Sequence, residues 1–363
     1  MEKNNVILMA PLPPPAGGIG RWTQRFLKLS NQYGINCLLV NETLIGKRKV
    51  FGNKNRINPF NELKRTLGIW NQLRKSIKKV NENSFVVHCC IPAFRNSLLR
   101  EIHSARIVKR KKGKFVIHFR STVPNSIKGK FDIFLLKKML KICDQCIVLN
   151  EKSFEYISSL TSKEKISLIP NFVDEKETIA IKNVAKDLKK VIYVGGVIEE
   201  KGCDTIINVA KEFPDLVFNL VGNPSEQIIR LASKQKNVVL LGEQPTNTII
   251  SLLDDSDVFM FLSRFEGEGF SNAVIEAMGR GLPCIVTDWA ANKEQIGDMA
   301  NKYNLCVPIL DCSAVIMALR TLHSFDIRKE VSLYNINRVA THYNNEIIIK
   351  QYIRIYDTLL KKG

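Results

Sequence analysis

Short apolar runs alternate along the whole chain with longer stretches in which apolar residues recur every three or four positions. Val6–Met9, Asn36–Val40, Phe85–Cys89, Phe115–Phe119 and Gln145–Leu149 are compact and apolar, which predicts strands. Between them, segments near 20–33, 60–80, 93–110, 131–142 and 151–159 carry the helical period. This β-α-β order predicts a parallel, doubly wound sheet. The rhythm restarts at Val191–Val194 and continues through Val217–Val221, Val238–Leu241, Val258–Leu262 and Cys284–Thr287. The chain therefore reads as two Rossmann-like α/β domains, 1–172 and 173–343, facing a central cleft. A charged connector, DEKETIAIKNVAKDLKK, lies near their junction. From Asn344 to Lys362, Ile348, Tyr352, Ile355, Tyr356 and Leu359 recur at helix spacing, and this helix is expected to pack back on the first domain.

Composition sharpens the picture in one respect. With 363 residues, two cores are expected rather than one. A formal charge of +19 implies partners that are polyanionic or phosphorylated, or an anionic lipid surface. Nine scattered cysteines, with one C-x-x-C at Cys143 and Cys146 and no second pair, fit reduced core thiols better than a zinc site. No apolar run reaches the roughly 18 residues of a membrane span, and the amino terminus lacks a signal-peptide core, so a cytoplasmic protein is expected.

The most informative stretch is FEGEGFSNAVIEAMGRG, residues 265–281, after the predicted strand Val258–Leu262. Ser271 can cap a helix that Gly281 ends. Glycines admit a ligand close to the backbone, and a helix start offers N–H groups with partial positive charge, which suits a diphosphate. Glu276 lies about 6 Å further along the axis, where a carboxylate can accept from ribose hydroxyls. Glu268 stands on the other side of the helix start, where an attached sugar would lie. EGFSNAVIEAM followed by GLPCIVTDW resembles the E-x7-E signature of family 4 glycosyltransferases, especially bacterial capsule, exopolysaccharide and O-antigen enzymes. The resemblance implies the GT-B fold, with an acceptor-binding first domain and a nucleotide-sugar-binding second one. It also implies a UDP- or GDP-sugar donor, no metal, and retention of anomeric configuration by attack from the leaving-group face. By position, Glu268 would contact the donor sugar, Glu276 the ribose, and Gly269, Phe270, Ser271, Asn272 and Ala273 the diphosphate.

Other segments are similar to parts of the same family site. YVGGVIEEKG, residues 193–202, places Lys201 on a donor phosphate, but Gly196 stands where the family often has Arg, and Arg264 is the candidate substitute. Gly17 and Gly18, in PLPPPAGGIGRW, match the family's amino-terminal glycine loop. His118, in FVIHFRST, matches a strand-end histidine facing the reacting sugar, and Arg120 is assigned to the acceptor side. The proposed catalytic set is thus His118, Lys201 and Glu268. IPNFVD, residues 169–174, resembles a junction marker of the family, while Asp255 and Asp257 form a D-x-D read as turn chemistry.

Residues 62–80 form a basic amphipathic segment with Leu63, Leu67, Trp70, Leu73 and Ile77 on one stripe, and KRKKGK follows at 109–114. Such a surface suits either docking on the domain's own sheet or peripheral contact with an anionic membrane, at its inner face, that carries a lipid-linked saccharide acceptor. A sugar-nucleotide epimerase or phosphorylase of the same fold shares the diphosphate site but needs no such acceptor. A nucleic-acid-binding protein fits the charge but not the motifs, since no aromatic-basic RNA signature is present.

Overall fold

The computed structural model describes residues 4–14, 17–43, 59–80 and 84–361. Part of the proline-glycine loop (15–16) and the last residues of the carboxy-terminal segment (362–363) lie outside them. The chain forms two compact units, one of residues up to Asn171 together with Glu346 onward, the other centred on Phe172–Asn345.

The first unit contains strands β1 (Asn4–Ala10), β2 (Ile35–Asn41), β3 (Val86–Ile91), β4 (Lys114–Phe119), β5 (Gln145–Val148) and β6 (Ile166–Leu168). Its helices are α1 (Gly18–Ser30), α2 (Pro59–Lys79), α3 (Arg95–Arg110), α4 (Val123–Ser126), α5 (Lys130–Ile142) and α6 (Glu151–Ser158). The strands form one six-stranded parallel sheet in the order β2-β1-β3-β4-β5-β6. Every residue of β3 is buried, as a central parallel strand covered on both faces requires.

The second unit contains β7 (Lys190–Val194), β8 (Val217–Val221), β9 (Val238–Gly242), β10 (Val258–Phe261), β11 (Cys284–Thr287) and β12 (Cys306–Val307). Its helices are α7 (Glu175–Thr178), α8 (Cys203–Ala210), α9 (Glu226–Ala232), α10 (Thr246–Asp254), α11 (Asn272–Gly279), α12 (Asn292–Ile296), α13 (Met299–Lys302), α14 (Cys312–Thr321) and α15 (Phe325–His342). A second parallel six-stranded sheet has the order β12-β11-β10-β7-β8-β9. The order reverses direction between β10 and β7, and a crevice opens beyond the strands' carboxyl ends at such a reversal.

The last helix, α16 (Asn345–Lys361), buries Ile348, Ile349, Tyr352 and Tyr356, and from Glu346 on it belongs to the first unit. The stripe expected on α2 splits. Leu73 is buried, and Trp70 and Ile77 pack against the core, whereas Leu63 and Leu67 are 55% and 53% exposed. Between them Arg65 donates to the Glu42 carbonyl, so this end of the helix is held by a polar contact rather than by the stripe.

Candidate active site

The second unit's reversal point joins two loops that lie far apart in sequence. After β7 the chain turns through Gly195 and Gly196, and Tyr193 donates its hydroxyl hydrogen to the Gly196 carbonyl at 2.8 Å. It then makes a tight turn over Glu199–Lys201 and enters α8 through Gly202, whose φ is +80°. A Cβ at Gly202 would lie 2.1 Å from the Leu262 carbonyl oxygen, so only glycine lets this turn sit against the end of β10. That close approach brings Lys201 to the loop after β10.

There the Lys201 ammonium donates to Glu268 Oε2 at 2.5 Å, and Ser263 Oγ donates to the same oxygen at 3.0 Å. The two charged side chains are 13% and 11% exposed. Lys201 Nζ also lies 4.6 Å from the centre of the Phe265 ring. Five residues after this loop begins to rise into α11, Glu276 stands half-buried on the helix. Ser271 caps α11 by accepting from the Val274 amide, and Gly269, Phe270, Ser271 and Asn272 are buried while Ala273 is half-buried. The Phe270 side chain meets Tyr343 edge to face at 5.3 Å.

Arg264 is placed differently from expectation. Its guanidinium makes a two-pronged bond to Asp204 at 3.0 and 2.9 Å, which also raises its pKa. It is therefore already matched with a carboxylate on α8, and Lys201 is the cation brought to Glu268. Asp255 and Asp257 sit at the opposite, amino end of β10. Asp257 accepts from the Lys189 and Lys190 amides, both at 2.8 Å, and Asp255 accepts from the Lys190 ammonium at 2.6 Å. Both acids thus tie β10 to the start of β7.

The segment after β11 supports the Glu268 loop from outside. Thr287 donates to the Ser263 carbonyl at 2.6 Å, and Trp289 Nε1 donates to the Phe265 carbonyl at 2.8 Å. Gln295, fully buried on α12, accepts from the Ser271 amide at 3.0 Å and donates to the Ser271 carbonyl at 2.8 Å. Sequence reasoning missed all three. The nearest signal in the sequence is the D-W pair at 288–289, part of the stretch that carries the resemblance.

In the first unit, Gly17 and Gly18 open α1 and are exposed, with clear space around Gly17. His118 and Arg120 lie at the end of β4, but they face inward. Arg120 donates to His118 Nε2 at 3.1 Å and to Asn171 Oδ1 at 2.6 Å. A guanidinium only donates, so Nε2 is the unprotonated nitrogen and Nδ1 carries the hydrogen. Nδ1 lies 3.0 Å from His88 Nε2, and His88 Nδ1 lies 2.6 Å from the Tyr356 hydroxyl on α16. Burial first, and then the Arg120 charge, push His118 well below the usual histidine range and His88 down to about 3. The expectation that His118 faces a reacting sugar does not match this arrangement. Its ring is fully buried, and both nitrogens are taken up in a relay that holds Arg120.

The family model described as "Glycosyl transferases group 1" matches residues 174–310, the span that holds Lys201, Glu268 and Glu276. An uncharacterized 41.2 kDa protein in the cps region of Klebsiella pneumoniae is 25% identical over 298 residues, which is 77% of this chain and 81% of that protein. The N,N'-diacetylbacillosaminyl-diphospho-undecaprenol alpha-1,3-N-acetylgalactosaminyltransferase of Campylobacter jejuni is 26% identical over 62% of this chain and 64% of its own length. Among solved structures, sucrose-phosphate synthase from Thermosynechococcus elongatus superposes with a TM-score of 0.82 at 16% identity, covering 99% of this chain and all of that one. The protein is a glycosyltransferase with the GT-B fold.

For a glycosyltransferase, the second unit's arrangement has a definite chemistry. Where a transfer builds negative charge on a leaving group, a fixed ammonium with helix-start amides can stabilise it without reorganisation. The Lys201–Glu268 pair holds that ammonium in place and keeps a carboxylate beside it. The glycosyltransferase thus carries, on neighbouring loops, a largely buried ammonium and two carboxylates on either side of a helix start.

Proposed function

We propose that this glycosyltransferase moves a hexosyl group from a UDP- or GDP-sugar to a lipid-linked saccharide, with retention of configuration, during synthesis of a cell-surface polysaccharide such as capsule or O-antigen. The observation that carries the reading is the Lys201–Glu268 contact beside the start of α11, with Glu276 about one turn along that helix. Lys201 and the amides of 269–273 take the diphosphate, Glu276 the ribose, and Glu268 the transferred sugar. Gly17 and Gly18, exposed at the start of α1, are assigned to the donor. No nucleophile is assigned, in keeping with attack from the leaving-group face, and no metal is required. The lipid-linked acceptor is supported by the diphospho-undecaprenol in the name of the Campylobacter relative, and the polysaccharide by the cps region of the Klebsiella one.

The protein would work on the cytoplasmic face of a membrane. Among the described residues no helix is long and apolar enough to cross one, so contact would be peripheral and led by the basic helices of the first unit. A panel of nucleotide-sugars tests the reading through hydrolysis, transfer to lipid-linked saccharides, and protection from thermal unfolding. One or two UDP- or GDP-sugars should be turned over, with activity unchanged by EDTA. If no nucleotide-sugar is hydrolysed, transferred or bound, the reading fails.

A further inference from the structure

We infer that Gln295 is a positioning residue for the donor diphosphate, acting as a two-handed clamp on Ser271. The inference rests on the reading of α11 as the diphosphate-binding helix.

Ser271 is the residue on which the start of α11 turns, and the helix itself holds it loosely. The Ile275 amide reaches the Ser271 carbonyl at 3.4 Å, and the Val274 amide reaches Ser271 Oγ at 3.4 Å. Both lie beyond the usual 2.7–3.2 Å range for such bonds. The two bonds from Gln295, at 3.0 and 2.8 Å, are shorter. A carboxamide offers a donor and an acceptor side by side without having to take up a proton, so it satisfies both backbone groups of a single residue. Gln295 is fully buried, so its two bonds to Ser271 are made out of contact with bulk solvent.

The clamp is itself braced. The Gln295 amide donates to the Ala291 carbonyl at 2.9 Å, and the Gln295 carbonyl accepts from Arg338 Nε at 2.9 Å and from the Tyr343 hydroxyl at 3.3 Å. Arg338 also donates to the Glu294 carbonyl at 2.7 Å. Tyr343 in turn packs against Phe270, the neighbour of Ser271. The end of α15 therefore fixes α12, and α12 fixes the point between Glu268 and Glu276. A shift at Ser271 would move the helix-start amides relative to Lys201, and a misplacement of about 1 Å at such a site costs about a hundredfold in rate.

Two variants test this. Gln295→Met keeps the length and loses both bonds. Gln295→Glu can imitate glutamine only when protonated, since the acid then donates to the Ser271 carbonyl and accepts from its amide. Ionised, it loses the donor and opposes the carbonyl oxygen. For Gln295→Met, donor kcat/KM should fall about a hundredfold, with a raised donor KM and an unchanged acceptor KM at every pH. For Gln295→Glu, kcat/KM relative to the native enzyme should fall as pH rises and recover as it is lowered, because activity follows the protonated fraction. Simple loss of folded protein would lower kcat alone and leave the donor KM in place. Should Gln295→Met fail to fold, the pH profile of Gln295→Glu still decides. A Gln295→Glu profile parallel to the native one, or a donor KM unchanged in both variants, overturns the clamp. A native enzyme that binds and turns over no nucleotide-sugar instead defeats the reading of the site.

Discussion

The contact between Lys201 and Glu268 makes a prediction that separates a working charge pair from a coincidence of surface groups. Both side chains are roughly nine-tenths buried, and the atoms are in hydrogen-bond contact at 2.5 Å. Lys201→Met leaves the Glu268 carboxylate with the Ser263 hydroxyl as its remaining partner at that oxygen, and removing one member of a buried pair costs about 3–5 kcal/mol. The slight exposure places the expected loss near the lower figure, about 3 kcal/mol. Glu268→Gln keeps the hydrogen bond from Ser263 but strands the ammonium, with a similar loss. With both replaced, no charge is left unmatched, so the double variant should lose far less than the sum, giving a coupling of about 2–3 kcal/mol. At roughly 2–4 °C per kcal/mol for a unit of this size, each single variant should melt about 6–12 °C early. Calorimetry on the transition of the Phe172–Asn345 unit reads this directly. Adding a nucleoside diphosphate should raise the melting temperature of Glu268→Gln more than that of the native enzyme, because the ligand supplies the missing negative charge to Lys201. Additive single effects within about 0.5 kcal/mol, or equal ligand shifts in the two proteins, would refute the reasoning.

Glu276→Ala should weaken nucleoside diphosphate binding by about ten- to a hundredfold, the worth of hydrogen bonds to a charged group, with little change in melting temperature; calorimetric titration checks it, and native affinity would remove Glu276 from the site. His88 stays neutral down to about pH 3 in the folded chain, while an unfolded histidine protonates near pH 6.5. The unfolded state then binds the extra proton as pH falls, so stability should drop below about pH 6.5 by up to ~1.4 kcal/mol per unit from this residue. His88→Phe should flatten that decline in urea melts between pH 6 and 4, and an unchanged slope counts against it. Phe131 and Phe134, 50% and 55% exposed on α5 with the cations of Arg95 and Lys138 over their rings, should lead contact with anionic lipid. Replacing both with serine should reduce sedimentation with vesicles containing phosphatidylglycerol by about tenfold, and equal sedimentation would exclude this face.

The parts of the fold that were legible in the sequence are those whose side chains repeat. β3 and β4 are central strands covered on both faces, so they appear as apolar runs, interrupted by His88 and His118. β6 and β12, at sheet edges, have three and two residues, too few to show any period. The α2 stripe looked continuous because a helical period records which residues share a face, not how far the sheet extends beneath it. In the site, Lys201, Glu268 and Glu276 were visible because their spacing belongs to a helix start after a strand. Gln295, Trp289 and Thr287 were not, because each acts through a bond to a backbone carbonyl, and such bonds leave no pattern in the residues they join. For His118 the sequence placed the residue at the right strand end, but it could not show that Arg120, two residues on, would turn back and take its free nitrogen.

The polarity of a parallel sheet explains why residues so far apart in the chain serve one purpose. All carboxyl ends of the strands lie along one edge, so each strand contributes its following loop to the same side. In the second sheet β11, β10 and β7 are adjacent. Their loops deliver, in that spatial order, the supporting residues Trp289 and Gln295, the Glu268 loop with α11, and Lys201. The opposite edge receives Asp255 and Asp257, whose bonds to Lys189 and Lys190 fix how β7 starts beside β10. Holding the two strands together at that edge sets the approach of their loops at the other. The acids of the D-x-D therefore bear on the Lys201–Glu268 contact through strand alignment alone, and replacing Asp257 with alanine should loosen that contact from the far end of the sheet.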